Sequence, residues 1–183
     1  MFETDFISAL AKEIEKASVE RDTGYFCTTR DIFQARLDSF VARTSEYLAS
    51  AVIGEIGNNT FDHNWDYAEG QSRGAYFNAN YHGFIVLADF GRGLRKSLAT
   101  VKECKSDLDA ITTAFTEHLS GRTPEQRGNG LKFVSETVKE KDWSLYFQSG
   151  AACCIIENGK VAFKSTDSTI CGCFAILRMR GNQ

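Results

Sequence analysis

The chain has 183 residues, which fits one domain of about 100 to 200 residues and leaves little length for a second. With 43% hydrophobic and 25% charged residues, the composition predicts a globular protein with a sizeable core and excludes a disordered or fibrous one. The formal net charge of −3 provides no attraction to nucleic acid or to an anionic membrane, so neither is an expected partner.

The chain shows no segment typical of membrane insertion or export. Its apolar runs, such as residues 84–88, are far shorter than the ~18 residues that a spanning helix needs. Residues 1–5 contain acidic side chains and no basic ones, unlike a secretory signal. We therefore expect a cytoplasmic protein whose six cysteines stay reduced. Their spacing lacks the two-residue gaps of zinc knuckles, which favours small core residues over a metal-thiolate site.

The first part of the sequence is predicted to be helical. Residues 5–20 repeat apolar side chains at steps of three and four, as an amphipathic helix does. After a break at residues 22–24, Thr28 or Thr29 can cap a second helical region that continues to residue 64. We therefore expect the helices to precede the sheet in the chain.

A bend or a second cap is expected near Thr44 and Ser45. We place the boundary of the main domain there, with residues 1–44 forming a partner surface, a dimer surface or a cap on the domain. Residues 45–183 would then form the domain itself. An intramolecular cap is the more frequent use of such amphipathic helices.

From Gly74 onward the apolar residues form short segments with the lengths typical of strands. A hairpin is predicted around a turn at residues 80–83, and a second turn at Asn158 and Gly159. The predicted strands are residues 75–80, 84–88, 144–156, 160–164 and 171–179, and the predicted helices between them are residues 106–119 and 131–138. This order predicts an α/β protein with a two-layer sandwich.

One helix turns from apolar to polar along a single ridge. Val52, Glu55, Asn59 and His63 are spaced by three or four residues and share one face. A buried carboxylate or amide is costly without a partner, so a bound ligand or metal would explain the change. Equally, the helix can simply leave the core after Val52, with these side chains solvated.

Two further segments combine glycine with polar residues. Asp89 follows a buried strand and leads into Gly91 and Gly93, which allow a ligand to approach the backbone closely. Residues 127–131, Arg-Gly-Asn-Gly-Leu, precede a helix whose N-terminal amides favour an anion such as a phosphate. Each segment is also compatible with an ordinary turn. The lysine and hydroxyl residue of a P-loop are absent from residues 127–131.

Taken together, in this order, the segments resemble the GHKL or Bergerat-fold ATPases, the group of gyrase, MutL and sensor histidine kinases. Residues 55–63 (EIGNNTFDH) look like the N box, 89–94 (DFGRGL) like the first glycine box and 127–131 (RGNGL) like the second. Residues 172–174 look like the closing strand motif. The resemblance implies a mixed, mostly antiparallel sheet covered on one face by helices, with ATP and Mg²⁺ as cofactors.

The resemblance also implies a role for each matching residue. Glu55 would be the catalytic general base, Asn59 the Mg²⁺ ligand, and Asp89 the acceptor of the adenine amine. Residues 95–126 would form a mobile lid. The implied cofactor-binding residues are Asn59, Asp62, His63, Asp89, Gly91, Gly93, Leu94, Arg127, Gly128, Asn129, Gly130, Leu131 and Cys173.

The sequence departs from the family pattern at Cys173, where the family usually has a threonine, and a thiol is the weaker hydrogen-bonding group. Nothing after Gln183 supplies the second domain of gyrase and MutL, which disfavours a clamp-type DNA machine. Residues 1–44 contain no histidine that could accept phosphate as in a sensor kinase. The target of the chemistry is therefore expected on another molecule.

A stand-alone domain of this kind resembles the anti-sigma-factor serine kinases. The leading expectation is an Mg²⁺-dependent ATPase or protein kinase that acts on a partner protein in trans. Two alternatives remain open at this point: a nucleotide-gated interaction module with little hydrolysis, and an ATP-using toxin or regulator of a two-gene system. The N-terminal helices also leave a homodimer open.

Overall fold

The computed structural model describes residues 2–20, 24–63, 74–117 and 129–180. In these ranges the helices are α1 (Thr4–Glu20), α2 (Arg30–Thr44), α3 (Tyr47–His63), α4 (Gly93–Leu98), α5 (Asp107–Thr116) and α6 (Gly130–Glu140). The strands are β1 (Phe26–Cys27), β2 (Ala75–Tyr81), β3 (Phe84–Asp89), β4 (Ser144–Glu157) and β5 (Lys160–Arg178). None of the helices in the described ranges is both long and apolar enough to cross a bilayer.

The strands form one five-stranded sheet in the order β1-β2-β3-β5-β4, and every neighbouring pair is antiparallel. The α/β class predicted from the sequence is confirmed, but the described sheet is antiparallel throughout instead of mixed, and α1 packs on the face that was expected to lack helices. The last strand in the chain, β5, lies between β3 and β4. This arrangement brings the end of β3, which carries Asp89, beside Cys173 on β5.

The main core lies between one face of the sheet and four helices, α2, α3, α5 and α6. Phe77, Leu87 and Phe147 point from the sheet into this core, where their exposure is 3% or less. Because side chains alternate along a strand, these positions mark one face of the sheet. We call this the helix-covered face.

The opposite face of the sheet is covered by α1. Leu10 and Ile14 are 1% and 2% exposed and pack in a second cluster that includes Tyr76, Tyr146 and Phe174. In addition, the Tyr81 hydroxyl donates a hydrogen bond to Glu13 on α1 at 2.8 Å. The apolar side chains of α1 are thus used within the chain. We call this the α1 face.

The predicted break in the long helical region is present. The Thr29 hydroxyl accepts a hydrogen bond from the Ile32 amide, as an N-cap does, and α2 begins at Arg30. At its other end Ser45 adopts a left-handed conformation, φ 58°, and its amide donates to the Val41 carbonyl. That conformation ends α2 before α3 begins at Tyr47.

The C-terminal region contains two strands, whereas the sequence predicted three, because β5 continues through residues 165–170. The ladder shifts there, since Ser165 pairs with Ala152 while Ile170 pairs with Gly150. The Gln148 amide, buried at 2% exposure, holds this bulge by donating to the Thr166 hydroxyl and to the Ser168 carbonyl. A buried side chain thus satisfies backbone groups that the ladder leaves unpaired.

Part of the segment predicted as a lid, residues 95–126, belongs to the main core. Within that segment, Ile111 and Phe115 of α5 are buried at 0% and 3% exposure in the main core. The Phe115 ring packs edge-on against Phe147 of β4, with 5.3 Å between the ring centroids. Because this helix is part of the core, it does not fit a mobile lid. Residues 118–126 of the predicted lid lie outside the described residues.

Most cysteines occupy the positions expected of small core residues. Cys27, Cys104, Cys153 and Cys154 are buried, and all six cysteines are free thiols. Burial raises the pKa of the Cys154 thiol to about 12, which keeps it protonated and unreactive at neutral pH.

Candidate functional site

The ridge of α3 leaves the core where the sequence becomes polar. Val52 is fully buried, Glu55 is exposed and Asn59 is half-buried. The exposure of Glu55 alone would agree with simple solvation. However, a β-carbon added at Gly130, the first residue of α6, would overlap the Glu55 carboxylate. Glu55 therefore lies directly against the second glycine segment, 75 positions later in the numbering.

Asp62 and His63 are the last two residues of α3. Asp62 forms an ion pair with Arg30, the first residue of α2. The Arg30 guanidinium also lies 6.0 Å from the centroid of the Phe61 ring. A role of Asp62 in binding phosphate or ribose remains a prediction, and in this structure the carboxylate joins two helices. His63 ends α3, and its side chain lies outside the described part of the chain.

Three polar side chains form a row across three strands at one end of the helix-covered face. Asp89 pairs in register with Cys173, and Cys173 pairs with Ser149 on the next strand. All three follow the alternation of their buried neighbours Leu87, Ala175 and Phe147, so they face the helices. The helix-covered face is thus apolar along most of its length and polar at this end.

The turn that follows Asp89 fixes the position of its carboxylate. It is 8% exposed, and its Oδ1 accepts a hydrogen bond from the Gly91 amide at 2.8 Å. On the β5 side, a β-carbon at Gly172 would overlap the Asp89 carbonyl and approach its Oδ1 to 2.6 Å. Gly172 also has φ 78°, which disfavours any residue with a side chain. Glycine is therefore required beside this carboxylate.

Ser149 ties the first glycine segment to the sheet. Its hydroxyl accepts from the Leu94 amide and donates to the Gly172 carbonyl, both at 2.9 Å. Through Leu94 it holds the start of α4, which begins at Gly93. The sequence did not single out Ser149. The signal that finds it is the strand register with Cys173, which a sequence without pairing information does not contain.

Cys173 is enclosed by polar neighbours. Its thiol donates to the Ser149 hydroxyl at 3.7 Å and lies beside the Asp89 carboxylate. Burial, followed by the charge of Asp89, raises the pKa of the Cys173 thiol well above its usual value. The thiol therefore stays protonated and acts as a weak hydrogen-bonding group.

A recess opens between α3 and this row. The space within it is about 220 Å³ when the open solvent at its mouth is counted. One wall is α3 and the others are β2, β3 and β5. The lining residues are Ile56, Gly57, Thr60, Ala75, Leu87, Ala88, Asp89, Cys173, Phe174 and Ala175. Such an apolar slot with one buried carboxylate suits a flat ring that carries a hydrogen-bond donor.

The second glycine segment is only partly described. Leu131 is 6% exposed and anchors α6 in the main core, while Gly130 faces Glu55. Asn129 stands at the N-cap position, but its side chain does not cap the helix. Arg127 and Gly128 lie outside the described residues. Leu131 thus packs in the core, and its predicted contact with the nucleotide remains a prediction, as do the phosphate contacts.

The donors that face the site fit a nucleotide-borne Mg²⁺ better than a metal held by protein alone. Among the described residues, no three His, Cys, Asp or Glu side chains gather closely enough to hold a metal ion. Magnesium that bridges phosphates needs only one or two protein ligands, because the phosphates and water supply the others. Asn59, one turn after Glu55 on α3, offers such an oxygen.

Comparisons with known proteins give a distant structural likeness. No protein-family model matches the chain, and a search of curated proteins gives no match. Among solved structures, the chain is similar to the topoisomerase IV ATP-binding domain of Francisella tularensis, solved with a small-molecule inhibitor. The identity is 16% and the TM-score 0.42, over 70% of this chain and 36% of that one. A likeness this distant assigns no function to this chain.

Proposed function

We propose that the chain binds ATP with Mg²⁺ and acts as an ATPase or protein kinase on a partner protein. The observation that carries the proposal is convergence: three segments separated in sequence meet around one end of α3. Glu55 lies against Gly130, while Asp89 and Cys173 line the recess beside Ile56 and Thr60. A base site and a phosphate site would thus adjoin the same helix.

The base would enter the recess. Asp89 is an acceptor that is nearly buried, and one of its oxygens already accepts from the Gly91 amide. A carboxylate in an apolar slot favours a ligand that presents a donor, such as an exocyclic amine, because a carboxylate can only accept. Adenine offers that amine, whereas guanine presents a carbonyl at the same ring position, which would repel the carboxylate.

The phosphates would lie between Glu55 and the start of α6. Free amides at a helix N-terminus favour an anion, and the lack of a side chain at Gly130 lets the Glu55 carboxylate lie against the first turn of α6. Asn59 would bind the Mg²⁺ that the phosphates carry. Mg²⁺ would supply charge neutralisation at the transferring phosphoryl group. Glu55 would orient and deprotonate the attacking water or acceptor hydroxyl.

The test is ATP binding and turnover in matched variants. Glu55→Gln keeps the size of the side chain that contacts Gly130 and removes the base, so turnover should fall at least a hundredfold while ATP affinity stays within about threefold. Asn59→Ala should weaken Mg²⁺-dependent binding. Undiminished turnover in both variants would contradict the assigned chemistry.

Phosphotransfer to a partner is a separate measurement. Labelled ATP with candidate partner proteins should give a labelled protein in the presence of the native chain and none with Glu55→Gln. If ATP binds but neither ADP nor phosphoprotein forms over hours, the chain acts as a nucleotide-gated binding module instead.

A further inference from the structure

Thr60 places a hydroxyl in the wall of the recess, at a position that the motif assignment leaves without a role. It follows Asn59 on α3 and is 4% exposed, and it lines the recess opposite Asp89 and Cys173. A hydroxyl in a protein interior is normally hydrogen-bonded, and one that opens on a recess can take its partner from a ligand or from water. Among the described residues the Thr60 hydroxyl makes no hydrogen bond, not even to a carbonyl of the preceding helical turn.

The other polar groups of the recess are already engaged. The Cys173 thiol donates to the Ser149 hydroxyl. Asp89 Oδ1 accepts from the Gly91 amide. Ser149 itself is held between Leu94 and Gly172. Among the described side chains that line the recess, Thr60 is therefore the one whose hydroxyl proton has no acceptor within the protein.

We propose that Thr60 is a specificity-determining residue, whose hydroxyl donates to a ring nitrogen beside the exocyclic amine that Asp89 accepts. The inference rests on the proposed function and deepens it. The Asp89 carboxylate can only accept a hydrogen bond, whereas the Thr60 hydroxyl can donate one. Together they match a base edge on which an amine stands next to a ring nitrogen with a lone pair. That edge belongs to adenine. Guanine has a carbonyl in place of the amine, which mismatches Asp89 on either edge, and on the N1 edge its ring N–H also mismatches the Thr60 hydroxyl proton.

The experiment measures binding by isothermal titration for the wild type, Thr60→Val and Thr60→Ser. Valine keeps the shape and removes the hydroxyl, while serine keeps the hydroxyl. We expect Thr60→Val to bind ATP about fivefold more weakly, as the loss of one hydrogen bond gives. Thr60→Ser should stay within about twofold of the wild type.

Two ATP analogues identify the contact. Each replaces one ring nitrogen beside the amine by carbon, giving 1-deaza-ATP and 7-deaza-ATP. With one of them, the wild type and Thr60→Val should bind equally, because the acceptor is already missing. Comparing ligands on the same variant cancels any effect of the substitution on folding. An equal loss with ATP and with both analogues would overturn the proposal.

A matched control is Thr137→Val on α6, which is 6% exposed and does not line the recess. It should leave ATP affinity unchanged, and a loss equal to that of Thr60→Val would overturn the proposal. If the wild type does not bind ATP, the proposed function itself fails. If the wild type binds ATP and Thr60→Val binds it equally well, only the role of Thr60 fails.

Discussion

The two faces of the sheet use alternate residues of the same strands, yet they are built differently. On the helix-covered face, Phe77 and Phe147 pack against four helices. On the α1 face, Tyr76 and Tyr146 pack against one helix, and the Tyr146 hydroxyl donates to Gln148 at 2.7 Å. The two faces therefore differ in role. The helix-covered face contains the main core and has the candidate site at its polar end, while α1 covers the other face of the sheet.

We expect substitutions in the core of the helix-covered face to lower the free energy of unfolding the most. Phe147 is 2% exposed and contacts the Phe115 ring, so Phe147→Ala should lower the free energy of unfolding by about 3 to 5 kcal/mol. Urea denaturation followed by circular dichroism measures the loss. Phe133→Ala, at a side chain with 37% exposure, is the control and should change stability far less. Equal losses would contradict the account.

Damage to the α1 face should cost less and leave the site intact. Leu10→Ala removes a side chain with 1% exposure from the second cluster, and we expect a loss of about 2 to 3 kcal/mol. ATP affinity, measured by titration where the variant is fully folded, should stay within about twofold of the wild type. A large drop in affinity would show that the two faces are coupled.

The polar end of the helix-covered face can be tested at Ser149. Ser149→Ala removes a hydroxyl that bridges Leu94 and Gly172, so unfolding should become easier by about 1 to 2 kcal/mol. ATP affinity should also fall, because the turn after Asp89 loses its tie to the sheet. Ser165→Ala, at an exposed position of β5, should change neither quantity.

The smallest expected effect concerns pH on the α1 face. Burial and the hydrogen bond to Glu13 raise the pKa of Tyr81 from 10.0 to about 12. Because the folded state keeps this proton longer than the unfolded state, the contribution is complete below pH 10 and is lost as the pH rises towards 12. Denaturation curves from pH 8 to 12 should show a steeper alkaline decline for the wild type than for Tyr81→Phe. Parallel curves would rule out the contact.

Local features of the fold could be predicted where a residue itself determines the conformation. The Thr29 cap and the left-handed Ser45 end their helical segments, and residues 158–159, Asn-Gly, form the predicted turn with φ 50° and 70°. Apolar periodicity likewise predicted α1. These signals lie within a few residues of one another, so the sequence carries them directly.

Features that depend on pairing could not be predicted. The two-residue strand β1 is too short to leave a pattern, and it exists through its pairing with β2. The bulge in β5 depends on Gln148 of another strand. At the site, Asp89 and Glu55 were predicted from their motifs, whereas Ser149 and Thr60 become evident only from the register and the recess.

The most direct test of the account is ATP titration of the wild type, Asp89→Asn and Asp142→Asn. Asparagine keeps the side-chain oxygen that accepts from Gly91 but presents an amide donor to the base, so Asp89→Asn should bind ATP at least tenfold more weakly. Asp142, exposed and paired with Arg180, is the matched control and should have no effect. Equal ATP affinity in all three proteins, or no binding by the wild type, would contradict the assignment of the recess as a nucleotide-base site.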